Sequence, residues 1–73
     1  MNKTETLTTK IGATTRTVKV TYTAVEADYL SMTVANEADA LLAAFCYRWS
    51  VGTKIEAGAD GTFGVVVYKK DPR

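Results

Sequence analysis

The chain has no histidine and a single cysteine, Cys46, in 73 residues. Without histidine the commonest general base at neutral pH is missing, and neither a Ser-His nor a Cys-His nucleophile pair can be assembled. A lone cysteine excludes an intrachain disulfide, and with no histidine beside it a structural zinc lacks its ordinary ligands. No apolar run approaches the ~20 residues of a membrane span, and the N-terminus carries no signal-peptide pattern. A soluble cytoplasmic protein with no membrane partner is the expectation. Proline occurs once, in Asp71-Pro72-Arg73, a tail expected to fray together with residues 1–4.

Charge of one sign is also scarce. Nine Lys and Arg against eight Asp and Glu leave a net charge of +1, which gives no global attraction to nucleic acid. The distribution is less even: Glu26, Asp28, Glu37 and Asp39 form a central acidic stretch with no base among them. Glu37 and Asp39 fit the first turn of a helix, where carboxylates favour the dipole, better than an acidic docking patch. Two residues apart on a helix, they point in different directions and form no acid-base pair. Glu26 and Asp28 have nothing apolar around them to shift a pKa.

Glycines 58, 61 and 64 match neither a Walker loop nor a dinucleotide fingerprint, and no helix follows them. No cofactor, no metal and no enzymatic activity are expected.

What is present is patterned. Thr-rich segments alternate at period two: Leu7 and Ile11 share one face, and so do Val18, Val20 and Tyr22, as in half-buried strands. Gly12-Ala13-Thr14-Thr15 between them reads as a hairpin loop. Residues 24–34 carry two signals. Thr23-Ala24-Val25-Glu26 matches a helix capping box. Leu30, Met32 and Val34 alternate with Tyr29, Ser31 and Thr33 and predict a turn followed by a short strand, which is the reading adopted.

Asn36 is a good N-cap for a helix through ANEADALLAAFCYRWS, and Gly52 is a plausible stop. Ala38, Leu41, Leu42, Phe45 and Trp49 make one apolar stripe, expected to be the helix's core face. Cys46 and Arg48 flank that stripe, Ala43 lies off it, and Tyr47 points directly away. Cys46 is expected to act as a small hydrophobe rather than a reactive thiol. Asp60-Gly61 marks a second hairpin. Its later arm has Phe63, Val65 and Val67 on one face with Val66 and Tyr68 on the other, as a central strand would.

These elements predict a single α+β domain, order β-β-β-α-β-β, with one amphipathic helix on one face of an antiparallel sheet. So short a chain buries only about 60% of its surface on folding, so self-association is expected, a homodimer being favoured. The expected role is a small non-catalytic interaction module that binds or occludes a partner protein of unknown identity through Tyr47, Val66 and Tyr68. Compact accessory proteins of viruses and mobile elements share this size and lack of catalytic residues. The alternative is a weak single-stranded nucleic-acid binder using Lys10, Lys19, Tyr68 and Lys70 on the outward sheet face, with Lys for phosphates and an aromatic for stacking.

Overall fold

The structure, a computed structural model, describes residues 3–70. Three strands come first, β1 (Lys3–Ile11), β2 (Thr14–Val25) and β3 (Tyr29–Val34). The helix α1 (Glu37–Cys46) follows, then β4 (Gly52–Ala57) and β5 (Phe63–Tyr68). Every neighbouring pair is antiparallel in one open sheet of order β1-β2-β3-β5-β4. The fold is therefore the α+β arrangement that the sequence pattern predicts. Lys3 and Thr4, expected to fray with the rest of residues 1–4, pair with Tyr22 and Thr21 in β1. The remainder of that expectation, residues 1, 2 and 71–73, lies outside the described residues.

The turns follow from local chemistry. The first hairpin closes through Gly12-Ala13 alone, because Thr14 and Thr15 already pair with Ile11 and Lys10. Gly12 takes φ +63 while Ala13 keeps a negative φ, the type II′ pattern that suits strand twist. β2 then runs unbroken into the supposed capping box. A bulge at Thr23 shifts its register against β3, the Thr23 hydroxyl donates to Ser31 Oγ at 3.1 Å, and the Glu26 N–H donates to Tyr29 O at 2.9 Å. Residues 29–34 are a strand, with Leu30, Met32 and Val34 buried. The later hairpin turns through residues 58–62, where Gly61 supplies φ +86. β5 sits between β3 and β4, which accounts for its apolar residues on both faces.

One face of the sheet carries the core. Val18, Val20 and Tyr22 of β2, Leu30, Met32 and Val34 of β3, and Val65 and Val67 of β5 are buried under α1. Ile11 has the expected parity but remains 44% exposed, at the hairpin end of the sheet.

The helix starts as its sequence dictates. Asn36 Oδ1 accepts from the Asp39 N–H at 2.9 Å, and Glu37 and Asp39 occupy the first turn. It stops earlier than Gly52. Tyr47 is the C-cap, and the Tyr47 and Arg48 N–H groups bond back three residues, to Ala44 O and Phe45 O.

The helix phase is the reverse of the one its large side chains predict. Ala40 and Ala43 are fully buried against the sheet, while Leu41 is 60% and Trp49 87% exposed. Tyr47, expected to point away, packs against the core, and its hydroxyl bonds to the Tyr22 hydroxyl. Of the expected stripe, Leu42 alone joins the partly buried layer around the core.

The reason is steric. The sheet already fills the space between the layers with Met32, Tyr22, Leu30 and valines, and only methyl groups fit where the helix approaches closest. Trp49 also lies beyond the helix, so advancing 100° per residue does not place it.

The burial sets the expected order of stability losses. Met32→Ala should cost about 2–5 kcal/mol. Ala43→Leu should cost about 1–3 kcal/mol through overpacking. Leu41→Ala should stay within about 0.5 kcal/mol in the monomer, as surface changes do. Urea denaturation of the three variants ranks them directly. A Leu41→Ala loss as large as that of Met32→Ala would contradict the helix phase.

Candidate protein-interaction face

With Ala40, Ala43 and Tyr47 turned to the sheet, the helical repeat puts Ala38 and Phe45 on the opposite side, flanked by Leu41 and Leu42. This outward side is apolar, and it continues past the end of α1. The Arg48 guanidinium lies 4.3 Å from the Phe45 ring centroid and 5.4 Å from that of Trp49. Arg48 Nη1 also donates to Phe45 O at 3.0 Å. One side chain thus gives the Phe45 carbonyl a second donor, beside the Arg48 backbone N–H, and ties two aromatic rings into a single surface. Toward the β1–β2 hairpin the same surface dips into an open groove of about 670 Å³, lined by Ile11, Arg16, Ala38, Asp39, Leu41 and Phe45.

At the other end of the molecule the C-cap Tyr47 closes over Tyr22. Together with Lys3, Glu5, Val25 and Leu30 they line a second open cleft of about 620 Å³ beside the Thr23 bulge. Burial, and then the hydrogen bond with Tyr47, pushes the Tyr22 phenol well above its ordinary value of 10.0. Tyr47 therefore joins helix to sheet, and its remaining surface lines this cleft rather than the side directly away from the core. Cys46, beside it, is partly buried. Desolvation raises its thiol, an effect that Arg48 opposes more weakly, so little thiolate is present near neutrality.

The outward sheet face has a different character. Thr4 and Thr21 hydroxyls lie 3.2 Å apart, and Thr23 donates to Ser31, so several of its hydroxyls pair with one another. Val66 and Tyr68 do point this way and are partly buried. Val66 stands between Ser31 and Lys54, and Tyr68 stands opposite Tyr29, an aromatic that sequence reasoning left out of the candidate set.

Of the four residues of the nucleic-acid alternative, Lys10, Lys19 and Tyr68 share this face, and the four do not converge. Lys10 pairs with Thr15 at the β1–β2 turn, Lys19 pairs with Thr6, and Tyr68 lies at the opposite end of the strands with Lys70 beyond it. Following the ladders from Lys10 to Tyr68 covers on the order of 30 Å along the strand direction. Among the described residues, no three His, Cys, Asp or Glu side chains gather as metal ligands would, and no helix is long and apolar enough to cross a membrane.

The outer helix face is legible in the sequence as an apolar stripe, although hydrophobicity alone predicts that stripe to be the core face. The signal for the true core face was the Ala40, Ala43 and Tyr47 spacing, which also repeats at helical intervals.

The raised Tyr22 phenol has a definite pH consequence. A group whose folded value is raised contributes stability that is fully present below its unfolded value, about 10, and is lost as pH climbs toward the folded value. Melting temperature should therefore fall above about pH 10, and Tyr22→Phe should flatten that alkaline slope. Thermal melts across the range check it, and an unchanged slope in Tyr22→Phe would contradict the assignment.

Compared with known proteins, the chain matches no family model, no curated protein and no solved structure.

Proposed function

We propose that this protein is a small non-catalytic interaction module that binds another protein surface through the outer face of α1. The observation that carries the proposal is the position of its apolar side chains. Leu41 and Trp49 are mostly exposed, and they stand with Phe45, Ile11 and the stacked Arg48 on one continuous surface. Exposed apolar residues scattered singly need no explanation, but a contiguous patch on a monomer marks a contact site. Its composition, with Trp, Phe and Arg gathered at one end beside Leu41 and Leu42, is that of interface hot spots rather than of an ordinary solvated helix face. A chain with so small a core also gains from covering that patch.

The sheet face supports a binding role less well. Several of its hydroxyls are satisfied internally, and Val66 and Tyr68 are flanked by polar neighbours or already paired. The nucleic-acid reading draws no support from the spread of Lys10, Lys19, Tyr68 and Lys70, because a strand-tracking groove needs cations and stacking rings along one path. A cytoplasmic setting suits a lone, partly buried Cys46 that has no pairing partner in the chain.

Photocrosslinking tests the proposal. A photoreactive side chain at Leu41, and in a separate variant at Lys19 on the sheet face, is irradiated in extract from the source cells. Protein adducts, whether of two copies or of this chain with another protein, are expected from position 41 and not from 19. Adducts from position 19 alone, or adducts to nucleic acid, would move the site to the sheet face and overturn the assignment.

A further inference from the structure

Resting on that reading of the helix face, we infer that the surface covering it is a second copy of this chain, with the two α1 helices packed antiparallel about a two-fold axis. A two-fold interface requires a surface to complement itself, each residue meeting its counterpart in reverse order. The outer face of α1 is built that way in both charge and shape.

The charges come first. The first turn holds Glu37 and Asp39 with no basic residue in the last turn, and Arg48 follows immediately after the C-cap. Along one helix these charges lie at opposite ends and leave each other unpaired. Run a second helix in the opposite direction, and the acidic first turn of each copy lies toward the Arg48 end of the other. Antiparallel alignment also opposes the two helix dipoles favourably. A parallel alignment would bring like charges together at both ends.

Shape points to the same register. Ala38 is small, whereas Phe45 and Trp49 are large. In an antiparallel pair Ala38 of one copy lies opposite the aromatic end of the other, so a hollow receives a ring twice. The pairings of Glu37 with Arg48, Ala38 with Phe45 and Ala38 with Trp49 all have midpoints close to Leu42. One axis therefore satisfies charge and shape together, and it brings Leu41 and Leu42 against their own counterparts at the centre.

A standard interface takes about 800 Å² from each partner, and the outline of the molecule, 36 × 29 Å in its two largest dimensions, is larger than that.

Sedimentation velocity and native mass spectrometry at micromolar concentration provide the test. The wild-type chain should run at twice 7.9 kDa. Leu41→Asp should be monomeric with an unchanged circular dichroism spectrum, since Leu41 lies outside the core. Arg48→Glu should weaken the dimer about tenfold by facing like charges across the axis.

Combining Arg48→Glu with Glu37→Lys and Asp39→Lys, in protein whose circular dichroism shows that α1 survives the loss of its first-turn carboxylates, should restore association, because reversed charges pair again only if the helices are antiparallel. Val66→Lys, on the sheet face, should leave the dimer intact. A monomer at every concentration overturns the inference, as does a dimer broken by Val66→Lys or one that charge reversal fails to rescue. If the photocrosslink from position 41 then captures a different protein, the interaction-module reading stands while the second-copy inference falls. If position 41 captures nothing, both fall.

Discussion

The approach of the helix to the sheet is the constraint on which the rest of the structure depends. Ala40 and Ala43 meet the sheet with no exposed surface, so the helix lies as close as methyl groups allow. The core beneath is supplied almost wholly by strands, with Met32, Val20, Val65 and Val67 as its largest fully buried side chains. Anything larger than alanine at the contact would lift the helix and open voids on both sides. Because α1 carries Leu41, Leu42, Phe45 and then Trp49 as well, the same close approach turns most of that apolar bulk outward. The exposed face is a consequence of how the core is filled, not an independent feature.

Local contacts bound the helix at each end, and one of them ties it to the sheet. At its start, the Asn36 cap and the two carboxylates of the first turn fix where it begins. At its end, Tyr47 reaches down to Tyr22 while Arg48 turns outward over Phe45. The adjacent residues 47 and 48 thus bind opposite layers, one sealing the interior and the other organising the surface. Rotation of the helix would break the Tyr22–Tyr47 bond, while the Arg48–Phe45 contact lies within the helix end and would turn with it. Cys46, between the core edge and this junction, is held neutral by the same desolvation that raises Tyr22.

The two large surfaces of the domain are consequently unlike. The sheet's outer face is threonine-rich, with hydroxyls paired across β1, β2 and β3, as water-facing antiparallel sheets are. The helix's outer face is aromatic and aliphatic with one stacked arginine. Surface that resembles the inside of a protein seeks cover, which is why the proposed binding role falls to the helix rather than to the sheet.

By itself the sequence determined the elements and their kind. Period-two alternation located β1, β2, β3 and β5, Asp60-Gly61 located the second hairpin, and Asn36 marked the helix start. These are local properties, decided by backbone sterics and by hydrogen bonds within a few residues, and so they are legible in order along the chain. Tertiary structure alone decided which side of the helix faces in. The segment ADALLAAFC carries two helical stripes, one of small residues and one of large, and hydrophobicity favours the large one. The choice went to the small one because space under a helix is set by side chains on strands far away in sequence, notably Met32, Tyr22 and Val65. The extension of β2 through the apparent capping box was likewise decided by pairing with β3. Volume and partner strands are non-local quantities, and no window of neighbouring residues contains them.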